Sequence, residues 1–105
     1  MEVYSTRTYR KWINRLKDKN AKALIRVRLL RIRLDDNLGD FKELTTNVSE
    51  LRFYIGPGYR IYFTMKGNKM IILLVGGNKG SQARDIKRAE KMATDNIREE
   101  VEKWY

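Results

Sequence analysis

Neither cysteine nor histidine occurs in this chain of 105 residues. Their absence removes disulfides, thiolate chemistry, the usual zinc ligands and the commonest general base. A long apolar run is missing too. Nothing approaches the ~18 residues needed to cross a bilayer, and the opening MEVYSTRTYRKW has no apolar signal core. These absences predict a soluble, cytoplasmic protein with no membrane and no metal partner. Acidic side chains are scarce, 13 against 23 lysines and arginines. From residue 51 to residue 79 there are none at all, while five basic side chains stand in that stretch.

What is present suits one domain, residues 1–105. A hydrophobic content of 42% is enough for a single modest core and leaves no room for a second domain. A formal charge of +10 points to an anionic partner, whether nucleic acid, an anionic membrane surface or an acidic protein, and is silent about fold. The excess is uneven. Residues 1–33 carry 11 basic and 2 acidic side chains, residues 34–50 carry 1 and 5, and residues 80–105 balance at 6 and 6.

The acid-free stretch, LRFYIGPGYRIYFTMKGNKMIILLVGGNK, is the most strand-like part of the chain. A hairpin turning at Gly56-Pro57-Gly58 puts Leu51, Phe53 and Ile55 with Ile61, Phe63 and Met65 on a core face. The opposite face then gathers Arg52, Tyr54, Arg60 and Tyr62. Guanidinium pairs bidentately with phosphate and a phenol ring offers a stacking plane, so this face reads as a surface for phosphates and bases. The plainer alternative is that arginine and tyrosine are good solvent-facing strand residues.

Helical spacing of Tyr9, Trp12, Ile13 and Leu16 predicts a first helix over residues 8–18, after a short edge strand at Val3-Tyr4. A second helix spans Ala21 to Leu34, with Arg26, Arg28, Arg31 and Arg33 as a solvated face and nucleic-acid backbone contact as the alternative. A polar break with a helix-ending Gly39 leads to a short strand over Phe41 to Leu44. Beyond the hairpin, a tight turn at Lys66 to Lys69 opens Met70 to Val75, apolar on both faces and so a covered central strand, which Gly76-Gly77 stops. The spacing of Ile86, Ala89, Ala93, Ile97, Val101 and Trp104 predicts a last helix running to Tyr105, with Ser81 as its cap. The implied fold is α+β: a twisted antiparallel sheet of four or five strands, with two N-terminal helices and one C-terminal helix on one face.

A glycine-rich turn, Gly76-Gly77-Asn78-Lys79-Gly80, precedes that last helix and adds Lys79, Gln82 and Asp85 to the candidate site. It lacks the spacing of a P-loop, and a tight strand-to-helix connection explains it equally. Asp85 also suits a first helical turn on electrostatic grounds alone. Tyr9 and Trp12 are read as core. If RNA is cleaved, a 2′-hydroxyl attacks the adjacent phosphate and positioned cations stabilise the growing charge, one well-placed donor contributing ~3 kcal/mol. Without histidine, proton transfer falls to Lys79, Asp85, a tyrosine or a group on the partner.

The runs GDFKEL, SELRFYIGPGYRIYF and VGGNKGSQARDIKRA resemble the RelE/HigB-like toxins of bacterial toxin–antitoxin pairs, in the branch known as addiction-module killer proteins. The resemblance covers about Tyr4 to Ala93, and its specific parts are ELR, GPGYR-x-YF and GGNK-x2-Q-x2-DI. It implies a RelE-like α+β fold and a toxin that cleaves messenger RNA in the ribosomal A site, without cofactor or metal. It implies as partners the ribosome, its mRNA and a helix-turn-helix antitoxin from an adjacent gene. It carries phosphate stabilisation onto Arg60, RNA binding and proton transfer onto Arg52, and the cation after the last core strand onto Lys79. Tyr54, Tyr62, Gln82 and Asp85 complete the RNA-binding set. The tyrosine that RelE uses near its C-terminus falls at Asp85, and the histidines of HigB-type sites are missing, so the acid and base stay open. A ParE-like gyrase inhibitor and a non-catalytic RNA-binding module are the alternatives.

Overall fold

In the computed structural model, which describes residues 1–104, the apolar and alternating segments form one six-stranded sheet. The chain runs β1 (Glu2–Thr6), α1 (Arg7–Arg15), α2 (Lys19–Asp35), β2 (Phe41–Glu43), β3 (Ser49–Phe53), β4 (Tyr59–Lys66) and β5 (Met70–Asn78). A 3-10 turn (Lys79–Ser81), α3 (Gln82–Thr94) and β6 (Val101–Lys103) complete it. The sheet order is β2-β3-β4-β5-β1-β6. The α+β class, the three helices and the hairpins at Gly56–Gly58 and Lys66–Lys69 match the expectation from sequence.

Thr6 starts α1 with its hydroxyl, which accepts from the Tyr9 amide at 3.1 Å and donates to the Leu74 carbonyl at 2.7 Å. Asp18 starts α2 in the same way, accepting from the Ala21 amide at 3.0 Å. The second helix ends on Asp36, left-handed at φ 55°, and not at Gly39, which lies further along the loop. Tyr9, Ala21, Ile25, Leu29 and Ile32 pack on one face of the sheet against Leu51, Phe53, Ile61, Phe63, Ile71 and Leu73. Ala89 and its helix cover the other face over Val48, Tyr62, Ile72, Leu74 and Val75.

Helices therefore cover both faces, not one, which is why Met70 to Val75 could be apolar throughout. Burial of each such Ile, Leu or Val side chain contributes about 1.5–3 kcal/mol. A bulge between Tyr62 and Phe63 leaves Leu74 as an extra residue on β5, so Leu74 and Val75 turn to the same core.

Four further expectations are corrected. The sheet has six strands and is mixed, because β1 runs parallel to β5. With β6 antiparallel on its other side, β1 is not an edge. The glycine pair does not stop β5: a Cβ at Gly76 would come within 2.1 Å of the Trp12 indole, and one at Gly77 within 1.9 Å of the Asp85 carboxylate, so both glycines serve close approach inside the strand. The last helix ends at Thr94, and Asn96 and Ile97 at φ 61° and 41° turn the chain back into β6. Ile97, Val101 and Trp104 are thus not a helical seam, and Tyr105 lies outside the described residues.

Candidate nucleic-acid interface

Strand register sets Arg52 opposite Arg60, and Arg60 opposite Gly77, in one row across β3, β4 and β5. Two like charges side by side repel. Two neighbours offset this. Asp40 accepts a hydrogen bond from Arg52 Nη2 at 3.0 Å, and that bond holds its carboxyl below the usual carboxylate range. The Tyr54 ring lies between the pair, its centroid 5.8 Å from the Arg52 guanidinium and 5.9 Å from that of Arg60. Tyr54 itself, just past the end of β3, is 72% exposed.

Arg60 lies immediately beneath the surface, 8% exposed. Its Nη1 donates to the Tyr59 carbonyl at 3.3 Å, while its Nε and that of Arg52 are buried without a hydrogen-bond partner among the described residues. Buried donors are almost always satisfied, so two orphans in adjacent guanidiniums mark a place where an acceptor is expected. Gly58, left-handed at φ 79°, brings the hairpin loop past both cations: a Cβ there would lie 3.5 Å from the Lys79 Cβ and 3.6 Å from Arg60 Nη1. Lys79 is exposed at the start of the 3-10 turn. Arg52, Tyr54, Arg60 and Lys79 therefore lie close together.

The other three residues turn inward. Tyr62 is fully buried under α3, with its hydroxyl unpartnered among the described residues. Burial, and then the nearby Glu50 and Asp85, push its phenol well above the ordinary tyrosine range against the pull of Arg60. Strand parity had placed Tyr62 on the solvent face, but α3 makes that face a second core, so its ring cannot meet a base. Asp85 is 5% exposed and accepts from Ser81 Oγ at 2.5 Å above Gly77. The helix-capping role falls to Asn78, whose side chain accepts from the Ser81 amide at 3.1 Å while Ser81 Oγ accepts from the Asn78 amide at 3.2 Å. Gln82, half-buried, donates to the buried Glu50 at 3.1 Å.

Sequence reasoning named Asp85 but missed the other two carboxylates, Asp40 and Glu50. The stretch 51–79 carries no acid, yet Asp40, Glu50 and Asp85 reach its row from other elements. Two of its five cations, Lys66 and Lys69, flank the turn at the far end of the hairpin from Arg60. Arg28 leaves the solvated face it was assigned: it stacks on Phe53 at 4.9 Å, donates to the Leu38 carbonyl at 3.1 Å and the Arg52 carbonyl at 2.7 Å, and also bonds the Asp40 carbonyl. It fixes the loop that delivers Asp40 to Arg52. Nothing in the sequence sets Arg28 apart from Arg26, Arg31 and Arg33 along the same helix.

The arrangement can bind a phosphate between cations and hold a planar group against Tyr54. Among the described residues, no helix is long and apolar enough to cross a membrane. Residues 11–100 match the model of a family described as Phage derived protein Gp49-like (DUF891). An uncharacterized protein of Haemophilus influenzae is 37% identical over 95 residues, which span 90% of this chain and 95% of that protein.

Proposed function

Since this chain belongs to the Gp49-like family of phage-derived proteins, a toxin-like family, we propose that it is the toxin of a toxin–antitoxin pair and cleaves messenger RNA on the ribosome. The observation that supports this best is the exposed Tyr54 ring between two guanidiniums with orphaned Nε donors, with Lys79 beside them. A base stacks on Tyr54, and the neighbouring phosphate seats against Arg60 and Lys79. Arg52, tied to Asp40, orients the ring and adds a second donor. The 2′-hydroxyl then attacks phosphorus and the bond to the 5′ oxygen breaks. The proton lost by the first oxygen is balanced by the one gained by the second, and charge on the phosphoryl oxygens is met by Arg60. The enzyme's own cations stand where a metal would otherwise act. The antitoxin, a helix-turn-helix protein from an adjacent gene, presents acidic or apolar segments to this basic surface in the cytoplasm.

Arg60→Ala should abolish growth arrest and lower mRNA cleavage about a hundredfold or more, read by mapping transcript 5′ ends after brief induction. Tyr54→Ala, at an exposed position, should lower cleavage while circular dichroism stays unchanged. Full toxicity of a folded Arg60→Ala protein overturns the proposal, and DNA-damage signalling with uncut transcripts would move the target to gyrase.

A further inference from the structure

The parallel neighbours β1 and β5 send their connections to opposite faces of the sheet. From β1 the chain enters α1 on one side, and from β5 it enters α3 on the other. In open sheets a crevice forms beyond the carboxyl ends of two such strands and is the usual place for a ligand. Here it is a groove of about 610 Å³ floored by Val75, Gly76 and the half-buried Trp12. Gly76 lets the indole lie against the strand, where it meets the Tyr59 ring edge-on at 6.3 Å.

Its walls are basic. Arg7, Lys11 and Arg15 recur every four residues along α1, and Arg84 and Arg88 do so along α3, steps of about 6 Å along each helix. Arg7 and Arg84 stand in the first turns of their helices, where the macrodipole disfavours a cation, so helix stability does not account for them. Among the described residues two carboxylates line the groove, and both are engaged. Asp85 accepts from Ser81, with Arg84 at 3.7 Å. Glu99 accepts from the Thr8 amide at 2.8 Å and from its hydroxyl.

The groove continues the row described above, because Gly76 adjoins Gly77, the strand partner of Arg60. We infer that this crevice is a second binding site, a track for the sugar–phosphate backbone of single-stranded RNA passing to or from Arg60. The inference rests on the RNA reading above. Charge complementarity identifies the occupant as a polyanion, and the aromatic floor beside two rows of cations suits a flexible single strand.

The test is fluorescence anisotropy of a short labelled single-stranded RNA, methylated at its 2′-hydroxyls so that it cannot be cut, over a salt series. Replacing Lys11, Arg84 and Arg88 together by Gln should weaken binding and make the slope of log K against log salt shallower by about 0.7 per lost contact, roughly 2 in all. Glu99→Gln, which keeps hydrogen-bonding capacity towards Thr8 and removes a negative charge, should tighten binding. An unchanged slope and affinity in the triple variant overturns the groove, whatever Arg60→Ala does. So does a triple variant that binds RNA normally but loses a polyglutamate peptide, which would assign the groove to an acidic protein. Conversely, a toxic Arg60→Ala protein sinks the nuclease reading while the salt slope still decides for or against the groove.

Discussion

Tyr54 and Tyr62 come from the same alternating pattern and end in opposite environments. Parity determines which face of a strand a side chain joins, but exposure depends on whether another element lands on that face. Tyr54 lies beyond the last ladder pair and stays open, whereas Tyr62 lies under α3. A buried hydroxyl without a partner forfeits its hydration and gains nothing in return. Tyr62→Phe should therefore leave folding stability unchanged or raise it by up to about 1 kcal/mol, measured by denaturant titration, with cleavage retained. The pH dependence has a definite sign. A phenol whose folded pKa is raised stabilises the fold fully below the ordinary tyrosine value of 10.0 and loses that contribution as pH climbs above it. Wild-type stability should fall above pH 10 more steeply than that of Tyr62→Phe, in which Tyr9, raised by burial, and Tyr59, raised by burial and by Asp18, still contribute to the slope. Equal alkaline slopes would show that Tyr62 titrates normally and that α3 does not seal it.

Among the elements, β5 and the segment after α3 mark what sequence could and could not reveal. The double-sided apolarity of Met70 to Val75 identified a covered strand correctly, yet its two glycines were read as a terminator because glycine is depleted in strands. Only tertiary contact distinguishes a glycine that ends a strand from one that admits an indole or a carboxylate. The segment after Thr94 misled for a different reason, since Ile97, Val101 and Trp104 keep a helical period by coincidence. Ile97 packs on the α3-side core with its backbone at φ 41°, which is unfavourable for a β-branched residue. The return to β6 is anchored by Glu99 on Thr8 and by the Trp104 amide on the Val3 carbonyl at 2.8 Å. Burial opposes the charge of Glu99, but the Thr8 hydroxyl and amide, with Arg88 and Arg7 nearby, hold its carboxyl below the ordinary range. Its anchoring is accordingly complete above the unfolded carboxyl's value of 4.5 and is lost as pH falls through the folded one. Glu99→Ala should cost about 1 kcal/mol locally and speed hydrogen exchange at Val101 to Trp104 while the β4–β5 amides stay protected. Acidification of the wild type should reproduce that pattern, and uniform loosening of the whole sheet would refute it.

For the molecule as a whole, net charge was legible from composition, but its placement was not. The sequence located the excess in the N-terminal third and the central hairpins; folding gathers part of it at the Arg60 row, with Asp40, Glu50 and Asp85 close by, and part in the α1–α3 groove, with Asp85 and Glu99. A charge of +10 confined within 32 × 31 × 24 Å repels itself. Ion pairs such as Arg52–Asp40 at 3.0 Å and Lys103–Glu2 at 3.6 Å are partly or largely exposed and screened by solvent, so they offset little of it. At ~0.01 M ionic strength the screening length is about 30 Å, so charges across the entire protein interact, whereas at ~0.15 M it is about 8 Å and only neighbours do. Unfolding relieves the repulsion, because the radius of gyration grows from 12.4 Å to about 30 Å. Raising sodium chloride between these limits at neutral pH should therefore raise Tm by several degrees, about 4–8 °C for each kcal/mol of repulsion screened. Sulfate at equal ionic strength should raise it further by seating on the Arg60 row, and Arg60→Ala should reduce that increment while leaving the chloride response in place. A Tm that falls with chloride would mean that attraction outweighs repulsion on this surface, and a sulfate increment untouched by Arg60→Ala would place the anion elsewhere.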